Sequence, residues 1–145
     1  MKIAGTALLP GTPEQAWELL NDPQRLAKLL PGCERLEPDG PDRYKAVIKF
    51  ALAAVSGTYS GSVQLSEKKP PHSLRMKIEG KGLPGFVNGS GELHLAARNN
   101  QTEVTYTGEA QVGGVIASVG QRMLEGASRK IIHEFFDRAA KLLQS

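Results

Sequence analysis

Between Cys33 and Val112 the apolar residues recur at every second position, and beyond Ile116 they recur at every third or fourth. That single change of period limits the fold more than any other feature. Period two is the mark of a strand with one face on a core and one in water, and a spacing near 3.6 is the mark of an amphipathic helix. Tyr44, Ala46, Ile48, Phe50 and Leu52 alternate with Lys45, Val47, Lys49 and Ala51. Tyr59, Gly61, Val63 and Leu65 alternate with polar residues, as do Leu74, Met76 and Ile78, then Leu93 and Leu95, then Val104, Tyr106, Gly108, Ala110 and Val112. With a short strand near Glu34–Glu37 this predicts six antiparallel strands in a meander. Leu124, Ser128, Ile131, Phe135, Ala139 and Leu142 then predict one helix from about Ile116 to Leu143, roughly 40 Å long at about 1.5 Å per residue.

The segment before the meander supplies the remaining elements. Lys2–Leu9 reads as a strand, the seventh. Thr12, Pro13 and Gln15 form the signature of a capped helix start, with Trp17 and Leu20 on its apolar face. Asp22-Pro23 repeats the signal for a second short helix, which Pro31-Gly32 ends. The expected fold class is α+β: a seven-stranded antiparallel sheet curved around a long C-terminal helix, with two short helices after the first strand. No composition shift or repeat divides residues 1–145, so a single domain is expected.

A net charge of +3 comes from scattered basic residues without an aromatic-interleaved stripe, which argues against nucleic acid as a partner. The lone Cys33 excludes an internal disulfide and fits a reducing compartment. No secretory signal is visible, and the longest strongly apolar run, Phe50–Val55, is far shorter than the ~20 residues that span a bilayer. A cytoplasmic protein is expected.

In a meander, successive turns fall on alternate ends of the sheet. One end receives residues 37–42, 66–73 and 98–101, all polar. The other receives 50–57, 80–89 and 112–120, all apolar and rich in glycine. Those loops either pack on one another or border an opening for an apolar ligand, a partner or a membrane surface. Gly113, Gly114, Gly120 and Gly126 weaken the front of the long helix, so the front is expected to line a space and the rear to fill the core. The glycines of Gly89-Ser90-Gly91 sit inside a strand and mark a bulge or close contact. Phe50, Tyr59, Phe86, Tyr106, Ile116, Val119 and Met123 are the expected ligand-lining residues, with Phe86 as a gate. His72, His94 and His133 are scattered and no metal spacing occurs. Without a convergent acid, base or nucleophile, no catalytic residue is assigned and the chain is not expected to be an enzyme.

The order of elements resembles the helix-grip fold of START and Bet v 1-like proteins, the SRPBCC superfamily. Within it the chain is similar to the carbon monoxide dehydrogenase CoxG family. The resemblance lies in Pro13–Glu37, Val55–Pro71, Glu79–Leu95 and Tyr106–Phe136, above all in the patterns NDPxxLAxxLPGCE and AQVGGxIAxxGxRxLxGxxxK. It implies a non-catalytic accessory protein. Such a protein would bind a hydrophobic ligand, an isoprenoid quinone or a similar lipophile, and hold no covalent cofactor. It would serve a molybdenum-containing dehydrogenase by recruitment or by delivery of an electron acceptor, with peripheral contact at the inner face of the membrane. The chain stops at Ser145, just after the helix, without the hydrophobic tail of some members, which argues against a self-sufficient anchor. Two other readings stand beside it: a docking or assembly module with no ligand, and a cyclase or isomerase of the kind found elsewhere on this fold.

Overall fold

A computed structural model describes residues 1–51 and 55–144. Among these residues seven strands form one antiparallel sheet: β1 (Lys2–Pro10), β2 (Cys33–Pro38), β3 (Arg43–Phe50), β4 (Gly57–Lys69), β5 (Ser73–Gly82), β6 (Gly85–Arg98) and β7 (Gln101–Gly113). Their order is β1-β7-β6-β5-β4-β3-β2, a meander closed by the return of β1 to the far edge. Two short helices, α1 (Pro13–Asn21) and α2 (Pro23–Leu29), bridge β1 to β2. A five-residue 3-10 turn, Val115–Val119, leads into the long helix α3 (Gln121–Gln144). The helix-grip arrangement expected from the sequence is the observed one.

Local chemistry explains the elements. The Thr12 hydroxyl accepts from Gln15 N–H and the Gln15 side chain accepts from Thr12 N–H, so two orphan donors at the start of α1 are satisfied together. The Asp22 carboxylate accepts from Gln24 N–H at the start of α2. Both helices turn Leu19, Leu20, Leu26 and Leu29 into the core, against Leu65, Leu74, Leu93, Leu95 and Val104 of the sheet and Phe135, Phe136 and Ala139 of α3. Trp17 packs at the margin of this cluster. The solid core therefore lies toward the polar-turn end of the sheet.

Two boundaries differ from the sequence reading. The stretch Gly80–Gly89 is not a loop: β5 and β6 run almost to their tips and leave only Leu83 and Pro84 to turn. The long helix begins at Gln121 rather than Ile116, because Gly120 adopts a φ of 95° that ends the 3-10 turn. Consequently Gly113 is a strand residue, Gly114 and Gly120 flank the turn, and only Gly126 lies inside α3, where an added Cβ would meet nothing within 4 Å. Of the two readings for Gly89-Ser90-Gly91, the close contact holds: register is regular with both neighbours, without a bulge, and a Cβ at Gly91 would lie 3.1 Å from the Thr107 carbonyl. The expectation that Leu52 faces inward concerns a position outside the described residues.

Candidate functional site: an apolar cavity over a glycine floor

Each central strand changes character along its concave face. In β4 the inward residues run Leu65, Val63, Gly61; in β5, Leu74, Met76, Ile78, Gly80; in β6, Leu95, Leu93, Gly91, Gly89; in β7, Val104, Tyr106, Gly108, Ala110. Register places Gly61 beside Gly80, Gly91 beside Gly108 and Gly89 beside Ala110. Large aliphatics fill one half of the concave face, and hydrogen atoms or methyl groups floor the other. At Gly61 the backbone of β5 comes so close that a Cβ would collide with the Glu79 carbonyl.

Above this floor is a cavity of ≈ 320 Å³. Its roof is α3, through Leu124, Ala127, Ser128, Ile131, Ile132, Phe135 and Phe136. Its walls include Ile48, Phe50, Tyr59, Met76, Ile78, Tyr106 and Ile116. The lining is almost wholly apolar. The Tyr59 ring meets Phe50 edge-on at 5.7 Å, and its hydroxyl donates to the Val55 carbonyl at 3.0 Å. Burial raises the Tyr59 pKa, so the phenol stays neutral. Tyr106 stacks on Phe136 at 5.4 Å, its hydroxyl lying over Gly5 of β1. Ser128 is partnered by the Leu124 carbonyl at 2.8 Å and the Met1 sulfur at 3.8 Å. Phe135 and Phe136 belong both to the core and to the cavity wall, so the division of α3 into lining front and filling rear is less sharp than the sequence suggests.

Of the seven residues expected to line such a space, Phe50, Tyr59, Tyr106 and Ile116 do so. Phe86, Val119 and Met123 are not among the lining residues. Phe86 alternates with inward Val87 in β6 and lies on the convex face over Gly113, so its ring does not stand at the cavity as a gate. Val119 closes the 3-10 turn, and Met123 sits exposed on the first turn of α3. The glycine floor and the isoleucines of α3 were missed. The signal available was glycine recurring in the inward phase of four adjacent strands.

The glycine-rich end is closely built. Ile116 is 2% exposed and its N–H donates to the Pro84 carbonyl at 2.8 Å, tying the 3-10 turn to the β5–β6 turn. Around that plug Leu83 is fully exposed, with Val115, Met123 and Phe86 also open to solvent. Cys33 is half-buried, its thiol donating to the Arg35 carbonyl, and burial raises its pKa away from the thiolate. His72, His94 and His133 are exposed. Among the described residues no group of three His, Cys, Asp or Glu side chains is placed to hold a metal, and no helix is long and apolar enough to cross a membrane.

Comparison with known proteins agrees with this architecture. A conserved protein from Geobacillus kaustophilus is 39% identical and superposes with a TM-score of 0.96, over 99% of this chain and 95% of that one. A protein from Chromobacterium violaceum, at 20% identity and a TM-score of 0.74 over 99% and 97% of the two chains, shares the fold. The ribosome association toxin RatA of Escherichia coli is 33% identical over 70 residues, 47% of this chain, and the match spans 44% of that protein. Residues 5–143 match CoxG, a subunit of carbon monoxide dehydrogenase. With that match running almost from end to end of the helix grip, the chain belongs to the carbon monoxide dehydrogenase CoxG family.

Proposed function

We propose that this chain is a non-catalytic accessory protein that binds a hydrophobic ligand, an isoprenoid quinone, between sheet and α3. It would serve a carbon monoxide dehydrogenase-type molybdenum hydroxylase by recruiting it or handing it an electron acceptor. The observation that carries the reading is the ≈ 320 Å³ apolar cavity inside a chain of the CoxG family. That volume is at the small end of ligand pockets, which run from about 300 to 1,000 Å³. A dry cavity of about 150 Å³ accepts a benzene ring, so this one has space for a ring and the beginning of a tail. Burial of about 300 Å² of apolar ligand surface is worth ~7 kcal/mol before the costs of association. The exposed Leu83 and Val115 beside Ile116 support a peripheral contact with a membrane at the same end, where a long tail would leave the cavity.

The test is organic extraction of natively purified protein, followed by mass spectrometry. The reading expects a quinone or related lipophile near one per chain, or, from a host lacking it, a raised melting temperature when quinones are added. An empty extract combined with no thermal response to quinones or long-chain lipids would replace this reading with a docking module that holds no ligand.

A further inference from the structure

The two edges of the sheet are built in opposite ways. β2 is short, is irregular between Cys33 and Arg35, carries Glu34, Arg35 and Glu37, and ends at Pro38. These are the devices that stop an edge from pairing with another strand. β1 has none of them in its interior: Ile3–Leu9 contains no charge, no proline and no register shift against β7. Met1 and Ala110 exchange both backbone bonds, at 3.0 and 2.9 Å. The odd residues of β1 therefore face β7, and the N–H and C=O groups of Lys2, Ala4, Thr6 and Leu8 face outward. Among the described residues no strand pairs with that side. Pro10, the one residue of this phase without a donor, falls at the strand end.

We infer that β1 pairs with β1 of a second copy, antiparallel about Thr6, to make one sheet continuous through both chains. The sequence is complementary to itself in this register. Thr6 meets Thr6, Ala4 meets Leu8, and Lys2 meets Pro10, which needs to supply only its carbonyl. Every outward N–H of the strand finds a carbonyl. The side chains on the convex face form a Thr–Thr pair between two Leu–Ala pairs, and the lysines stand at opposite ends. Leu8, 49% exposed, is the one large exposed hydrophobic residue of the described chain outside the cavity end, and this pairing covers it. In this register the missing donor of Pro10 falls at the ends of the ladder and the strand's only charged side chains, those of the two Lys2 residues, lie apart at opposite ends, which is why a second copy is the occupant.

Sedimentation velocity from low micromolar to millimolar protein tests the inference. The expected result is a concentration-dependent species of twice the chain mass. Thr6→Lys sets two cations face to face on the twofold axis and Thr6→Glu two anions, so each variant alone should stay monomeric, while a mixture of the two should dimerise. Thr6→Pro removes an outward donor without touching the β7 ladder and should also be monomeric, with the circular dichroism of the parent. A parent monomeric at every concentration overturns the inference, as does a dimer that all three variants leave intact. None of these outcomes depends on ligand binding.

Discussion

Two glycines on the same concave face, Gly61 and Gly89, should respond to the same substitution with opposite sign. At Gly89 an added Cβ would meet the Glu109 carbonyl at 3.8 Å and the Ala110 Cβ at 3.9 Å, ordinary contacts with the cavity beyond. Gly89→Ala there reduces the freedom of the unfolded chain without straining the fold, a gain of about 0.4–1 kcal/mol. At Gly61 the Cβ would strike the Glu79 carbonyl, a backbone atom held by the β4–β5 ladder, so Gly61→Ala forces two strands apart at a cost of about 1–3 kcal/mol or more. Unfolding entropy of about 2.1 cal/mol/K per residue makes 1 kcal/mol worth ~3 °C in this chain. Differential scanning calorimetry should show Gly89→Ala melting about 1–3 °C higher and Gly61→Ala at least ~3 °C lower. If Gly89→Ala melts lower, or both variants shift alike, the glycine floor is not an open surface beneath a cavity.

Burial raises the pKa of both Tyr44 and Tyr59 above the ordinary phenol value. A raised acid contributes stability that is complete below the unfolded pKa near 10 and is lost as pH climbs toward the folded one, so the urea midpoint should fall above about pH 10. Tyr59→Phe should flatten that fall. Thr12→Ala removes the hydroxyl that accepts from Gln15 N–H while keeping the backbone half of the α1 cap, and should cost about 1 kcal/mol in urea denaturation without affecting ligand uptake. Ile116→Ala removes the plug and should cost about 2–4 kcal/mol while accelerating the uptake of an apolar fluorescent probe measured by stopped flow.

The fold was legible because both of its periods are clean. Tyr44 to Phe50 can be phased only as a strand, and Leu124 to Leu142 only as a helix; Thr12 with Gln15 marks its helix start by hydrogen bonds that need no tertiary partner. The cavity end was legible from the composition of the turns. Individual side chains were less so, for a definite reason. Phe86 stands three residues after Leu83 in a stretch whose glycines read as loop, so it had no phase; once β6 is seen to start at Gly85, alternation sends the ring to the convex side. Val119 and Met123 take their phase from a helix that begins at Ile116, but the positive φ of Gly120 restarts the helix at Gln121, which leaves Val119 in the 3-10 turn and Met123 exposed on the first turn of α3. Curvature was the hidden quantity. Gly61, Gly89 and Gly108 alternate in the inward phase like any core residue, but only at Gly89 does the missing side chain leave a volume, while at Gly61 and Gly108 neighbouring backbone takes its place.

The most direct test is methyl NMR during titration with a short-chain quinone. Occupancy of the cavity predicts saturable shifts confined to its methyls, Met76 and Ile78 of the walls and Ile131 and Ile132 of the roof, with Leu26 and Leu29 in the solid core unmoved. Absence of shifts at saturating quinone, or shifts restricted to the exposed Leu83 and Val115, would contradict it.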